Sequence, residues 1–143
     1  MCVYGIACQV TSQIIYFSLC HTGNNGACGG TFSSPNGILT SPSYPNYYPN
    51  DADCTYIVSQ QMGTYMQISI TFMDIEYTTD YYDDYGSEEY NFHQFDGKTC
   101  FDYLEIRDGN SNDSALLGKY CGDSDVLNLP IALMTSGEFL WLR

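Results

Sequence analysis

The chain has 143 residues, a length typical of one domain, and a formal net charge of −13. This charge disfavours binding to nucleic acid and to anionic membrane surfaces, because their phosphate groups would be repelled. Seven cysteines in so short a chain favour an oxidising compartment, and the lack of any Cys-x-x-Cys pair argues against a zinc knuckle.

Residues 1–27 form an N-terminal segment whose structure the sequence does not define. The segment contains Cys2, Cys8 and Cys20, an odd number, so one of them could pair with another chain. Its apolar run, Ile14–Leu19, is short, and residues 1–20 contain no Lys or Arg, unlike a signal peptide. We interpret residues 1–27 as a Cys-containing segment or linker. We predict no transmembrane span anywhere in the chain.

The next part of the chain predicts short strands. Residues 31–50 contain four prolines, which exclude a long helix but allow extended pieces around Phe32 and Ile38–Leu39. A strand is predicted at Cys54–Val58. From Met66 to Phe72, apolar and polar residues alternate, and this period of two indicates a strand with one buried face.

The C-terminal part of the chain repeats this pattern. Leu104 and Ile106 alternate with polar residues, and Asp108-Gly109 then supplies a turn. Further strands are predicted at Leu116–Cys121, Ile131–Met134 and Phe139–Leu142. Short strands separated by Gly, Pro and Asn turns predict an all-β sandwich.

Residues 77–99 are unusually rich in acids and tyrosines. Six Asp and Glu residues stand there against a single Lys98, a charge density that predicts a surface loop. Two interpretations remain open. The loop is either a solvated segment or a specificity loop in which Tyr81, Tyr82 and Tyr85 contact a basic partner.

Several motifs, in order, resemble a CUB domain. They are Cys28-Gly-Gly, then Gly37-Ile-Leu-Thr-Ser-Pro-Ser-Tyr-Pro-Asn-Tyr-Tyr-Pro-Asn50, Cys54-Thr-Tyr-Ile-Val, Cys100-Phe-Asp-Tyr-Leu-Glu-Ile-Arg-Asp-Gly and Gly118-Lys-Tyr-Cys-Gly122. The resemblance covers residues 28–143, with residues 77–99 as an insertion. It implies a CUB-type jelly-roll β-sandwich of two antiparallel sheets, with the last strand or strands missing.

The resemblance also implies two disulfides, Cys28–Cys54 and Cys100–Cys121. Each would stabilise the fold by roughly 2–4 kcal/mol, because it restricts the unfolded chain.

A cation site is a further expectation. Many CUB domains bind one Ca²⁺ at an end of the sandwich, and Glu76 and Asp102 match two of the family's ligand positions, with Tyr48 supporting the glutamate. Two carboxylates held close together repel each other unless a cation lies between them. In the family's mode of binding, these groups would receive a Lys of the partner, and the family's late Asp ligand is absent here.

The resemblance implies an extracellular or secreted, non-catalytic module that binds a protein with exposed Lys or Arg, within a larger multi-module chain. Two alternatives remain: an accessory module of a secreted protease, and a glycan-binding module. We predict no catalytic residues, because Gly122-Asp-Ser-Asp125 only partly matches a serine-protease motif and its surroundings do not fit. Asn112-Asp-Ser114 predicts N-glycosylation at Asn112.

Overall fold

The computed structural model describes the backbone of residues 3–10, 28–78, 93–95 and 98–143, and the side chains of residues 28–78 and 100–143. Every regular element in these ranges is a strand. In chain order they are β1 (Val3–Val10), β2 (Gly30–Phe32), β3 (Asn36–Thr40), β4 (Tyr56–Ser59), β5 (Met66–Asp74), β6 (Tyr77–Thr78), β7 (His93–Phe95), β8 (Lys98–Cys100), β9 (Leu104–Asp108), β10 (Ala115–Tyr120), β11 (Ile131–Met134) and β12 (Phe139–Leu142). Over the described ranges, no helix suited to crossing a membrane is found.

The long strands form two sheets. The first has the order β11-β5-β1-β3, and the second has the order β10-β9-β12-β4-β2. The pairs in both sheets are antiparallel, except that β2 runs parallel to β4. The all-β jelly-roll sandwich predicted from the sequence is confirmed.

The core lies between the two sheets. On β5, Met66, Ile68 and Ile70 are at most 1% exposed, as their alternation with polar residues predicts. The second sheet contributes Leu104 and Ile106 from β9 together with Tyr56, Val58, Leu140 and Leu142. Burial of these apolar faces is the main force holding the sheets together.

Two disulfides join segments at the edges of this core. Cys28 is bonded to Cys54, and Cys100 is bonded to Cys121, the pairing that the CUB resemblance implied. Cys54, Cys100 and Cys121 are all buried. The second disulfide joins Cys100, in the segment that leads into β9, to Cys121, directly after β10.

The N-terminal segment supplies a strand that the sequence did not predict. β1 lies inside the first sheet and pairs with β3 on one side and β5 on the other. The division of the chain at residue 28 stays a prediction, although this strand belongs to the same sheet as strands that follow that boundary.

The ends of the acidic insertion also form strands. Residues predicted as one surface loop include β6, β7 and β8, which make a small sheet in the order β6-β8-β7. The local charge density of residues 77–99 could not predict that β8 pairs with β6 and β7, because these strands are separated along the chain. Tyr81, Tyr82 and Tyr85 lie outside the described residues.

Candidate functional site

A cavity of about 430 Å³ opens at one end of the sandwich. Four segments build it: the loop after β3, the residue directly after β5, the residues just before β9, and the C-terminal end of β12. Its lining residues are Pro42, Tyr48, Asp51, Ala52, Asp53, Cys54, Ile75, Phe101, Asp102, Tyr103 and Arg143.

Tyr48 and Asp102 meet in this cavity. The Tyr48 hydroxyl donates a hydrogen bond of 2.7 Å to Asp102 Oδ2. Pro45 and Pro49 flank Tyr48 and restrict the backbone of its loop. Asp102 follows Cys100 by two residues, so the Cys100–Cys121 disulfide restrains the backbone next to Asp102. Two residues selected from the sequence are therefore direct neighbours, although the sequence analysis expected Tyr48 to support Glu76 and not Asp102.

A second polar contact lies in the same cavity. The Arg143 guanidinium donates two hydrogen bonds to Asp53, from Nε at 2.7 Å and from Nη2 at 2.9 Å. The hydrogen bond to Asp53 is the main reason that the pKa of Arg143 is raised. Such a paired geometry is the one in which Arg recognises carboxylates best.

The sequence interpretation did not select Asp51, Asp53 or Arg143. The acid-x-acid run immediately before Cys54 is a signal that could have identified the two aspartates. With Asp102, the lining contains three carboxylates against one guanidinium. The cavity therefore keeps an excess of negative charge that favours a cationic ligand.

Glu76 lies near this end of the sandwich, but it is not a lining residue. Ile75 lines the cavity and pairs with Gly122 through two backbone hydrogen bonds, and Glu76 follows it with an exposed side chain. The assignment of Glu76 and Asp102 to one metal site stays a prediction.

Acids surround the residue that follows Glu76. Burial is the main cause of a raised pKa at Tyr77, and the charges of Asp123, Asp125 and Asp74 raise it further. The loop after β10 thus places two acids near the start of β6, which Glu76 directly precedes.

The donor chemistry of the cavity suits a hard cation only in part. Carboxylate and hydroxyl oxygens are the ligands that Ca²⁺ prefers, and the ion takes six to eight of them. Among the residues whose side chains are described, no group of three His, Cys, Asp or Glu is arranged to hold a metal ion. The described carboxylates alone do not form a complete Ca²⁺ site.

A charged cluster supports the cavity wall. Lys119 Nζ lies 3.4 Å from the centre of the Tyr103 ring, and it also lies 3.6 Å from Glu105 Oε2. Glu105 is 9% exposed, and its other oxygen accepts a hydrogen bond from Arg107. Lys119 on β10 thus contacts the Tyr103 ring, directly before β9, through a cation–π interaction.

Comparison with known proteins decides the family. The model of the CUB domain family matches residues 28–143. The chain belongs to the CUB domain family. The disulfides, the jelly-roll sandwich and the order of the motifs are therefore those of a CUB domain.

Named relatives share this domain but are much longer. Human cubilin is 32% identical over 123 residues, which is 85% of this chain and 3% of cubilin. Dog cubilin is 30% identical over 128 residues, 89% of this chain and 3% of that protein. Human Tolloid-like protein 1 is 32% identical over 118 residues, 82% of this chain and 9% of that protein. The chain thus spans under one tenth of these relatives.

The predicted glycosylation site, Asn112, is not among the residues that line the cavity. Asn112 is exposed in the turn between β9 and β10, where Ser114 contacts Ser111. Its glycosylation stays a prediction, as does partner binding by Tyr81, Tyr82 and Tyr85.

Proposed function

We propose that this CUB domain is a non-catalytic binding module that captures a Lys or Arg side chain of a protein partner in the cavity lined by Tyr48 and Asp102. The observation that carries this proposal is the 2.7 Å hydrogen bond from Tyr48 to Asp102. It fixes one carboxylate oxygen and leaves the other accessible to a ligand, because an ionised carboxylate accepts several hydrogen bonds.

The cavity already accommodates a cationic group of its own chain. Asp53 binds the Arg143 guanidinium through two hydrogen bonds, and this pair supports the proposal that a cationic side chain fits at this wall. Asp51 and Asp102 supply the remaining negative charge. A partner ammonium or guanidinium would make a charge-assisted hydrogen bond, which is stronger than one between neutral groups.

The acidity of the whole chain supports the same kind of partner. A net charge of −13 attracts a basic surface from a distance and accelerates its association at low ionic strength. We infer that binding weakens as salt is added, since exposed charges more than about 8–10 Å apart are screened at physiological ionic strength.

We also propose that the domain works in an extracellular compartment as part of a multi-module protein. Two disulfides within one small domain support an oxidising environment. The far greater length of the cubilin and Tolloid-like relatives supports a multi-module parent.

Ca²⁺ is a second element of the proposal. Glu76 and Asp102 would hold the ion with additional oxygen donors, and a bound Ca²⁺ would orient the acids and offset their mutual repulsion. Tyr48 would then orient Asp102 through its hydroxyl. Basic-residue capture at Asp102 and Ca²⁺ dependence are separate claims, and each has its own measurement.

The capture claim is tested with a lysine-rich peptide and a matched peptide in which norleucine replaces lysine. Asp102→Asn keeps an oxygen that can accept the Tyr48 hydrogen bond but removes the charge. We expect it to weaken lysine-peptide binding at least tenfold in calorimetry. Asp113→Asn changes an exposed acid in the β9–β10 turn and is the matched control for net charge.

Two results would contradict the capture claim: equal binding of both peptides, or equal loss of binding in Asp102→Asn and Asp113→Asn. The Ca²⁺ claim is tested by repeating the titration in EDTA and by direct Ca²⁺ titration. Unchanged peptide affinity in EDTA would remove Ca²⁺ from the mechanism and leave capture by Asp102 intact.

A further inference from the structure

The first sheet contains a strand from outside the residues that match the CUB family. The match begins at residue 28, whereas β1 is Val3–Val10. β1 is not an edge strand, because it pairs with β5 from Val3 to Val10 and with β3 from Gly5 to Gln9. We call the space between β3 and β5 the strand channel.

The register of β1 suits the buried side of this channel. Alternate positions of the strand are Tyr4, Ile6, Cys8 and Val10, and these pair with Met73, Ile70, Ile68 and Met66 of β5 in that order. All four β5 partners are at most 1% exposed. A slip of one residue would put Gly5, Ala7 and Gln9 at these positions, so the alternation of the strand specifies its register.

In the described residues, neither a hairpin nor a disulfide joins β1 to the strand channel. Among the described strands, β1 forms no hairpin with either neighbour, since the next one along the chain, β2, belongs to the second sheet. The two disulfides join Cys28 to Cys54 and Cys100 to Cys121, so neither of them involves β1. Strand pairing alone is the described link between β1 and its neighbours.

We propose that the strand channel is a β-strand-binding site, and that β1 of a second copy of this chain can occupy it in place of the chain's own β1. Each copy carries a strand with the required alternation, so exchange between two copies restores the same backbone ladders on both sides. Residues 11–27 provide the connection, and an extended chain spans roughly 3.3 Å per residue. This inference does not rest on the function of the acidic cavity.

The test uses the full chain with one added cysteine on each side of the β1–β5 ladder. Ala7 and Ser69 are directly paired. Opposite residues in antiparallel strands have Cα atoms about 4.5–5.5 Å apart, which a disulfide can bridge. The background carries Cys2→Ser, Cys8→Val and Cys20→Ser, so the remaining native cysteines are those in the two disulfides.

The Ala7→Cys and Ser69→Cys variants are prepared separately, mixed at high concentration, incubated and oxidised. We expect a covalent species of twice the chain mass that contains one copy of each variant. The double variant, Ala7→Cys with Ser69→Cys, reports whether β1 pairs with β5 at all, because it forms a cross-link within one chain.

A matched control measures how much cross-linking arises from random collision between chains. Met62→Cys replaces Ser69→Cys in the mixture, at a position that is 86% exposed and therefore more accessible to a passing thiol. Cross-linking at Ser69 at least fivefold above that at Met62 supports exchange. The proposal is overturned by equal yields at the two positions, by no mixed product while the double variant cross-links, or by a double variant that forms no internal cross-link.

Discussion

Tyr48 and Asp102, 54 residues apart in sequence, are joined by a hydrogen bond of 2.7 Å from the tyrosine hydroxyl to Oδ2 of the carboxylate. The bond connects the proline-rich loop after β3 to the segment that leads into β9. It therefore links an element of the first sheet to one of the second at the rim of the sandwich. The proposed ligand contact at Asp102 depends on this orientation.

Removal of the Tyr48 hydroxyl should lower the affinity for the lysine-rich peptide with little effect on the stability of the fold. Tyr48→Phe deletes the donor to Asp102, and a hydrogen bond to a charged group at a partly exposed site contributes about 1 kcal/mol. We expect roughly fivefold weaker binding of the lysine-rich peptide in calorimetry, with little change in Tm. Tyr65→Phe, an exposed tyrosine outside the cavity, should bind as the parent chain does. A Tyr48→Phe chain of unchanged affinity would contradict the positioning role.

The buried and exposed ion pairs should differ strongly in their contribution to stability. Glu105→Ala leaves the buried Lys119 ammonium and Arg107 without their shared carboxylate. We expect a loss of about 3 kcal/mol in the free energy of unfolding, measured with urea. Asp53→Ala breaks the exposed pair with Arg143 and should cost less than about 1 kcal/mol. Similar losses in the two variants would show that burial does not govern these pairs.

Alanine substitutions at Gly29 and Gly63 distinguish the cost of backbone strain from the cost of a steric clash. Gly29 has φ of 94° and Gly63 has φ of 81°, so alanine is strained at both positions. A Cβ at Gly29 would also meet the backbone carbonyl oxygen of Thr55, whereas nothing lies within 4 Å of a Cβ at Gly63. Gly29→Ala should therefore destabilise the fold by about 1–3 kcal/mol more than Gly63→Ala, measured by urea denaturation. Equal losses would mean that the backbone beside Cys28 shifts to accept the methyl group.

Tyr120 should contribute to alkaline unfolding. Burial raises the pKa of Tyr120 above its ordinary value of 10.0, because the phenolate is less well solvated in the fold. The unfolded chain then releases this proton first, so stability falls as the pH rises above about 10 and through the folded pKa. Tyr120→Phe should show a shallower loss of Tm between pH 9 and pH 11, in about the range where tyrosine titrates. Tyr47→Phe, at an exposed position, is the control and should follow the parent chain.

The local sequence was sufficient to predict most strands of the sandwich. The alternation from Met66 to Phe72 predicted β5, although its last step is wrong, because Phe72 is 43% exposed and Met73 is buried. The runs Ile131–Met134 and Phe139–Leu142 have the same bounds as β11 and β12. A two-residue period reports the buried face of a strand directly, since neighbouring side chains point to opposite sides. The CUB motifs then supplied the family and the disulfide pairing. They also selected Tyr48 and Asp102, which the structure joins.

Other features depend on contacts between segments that are distant along the chain. The place of β1 between β3 and β5 follows from the pairing of Val3–Val10 with residues 36–40 and 66–74, and no local pattern in residues 1–27 specified those partners. The Asp53–Arg143 pair joins a loop to the end of β12, 90 residues later. Hydrophobic periodicity decides which face of a strand is buried, but only closure of the sandwich decides which loop ends and charges meet at its rim.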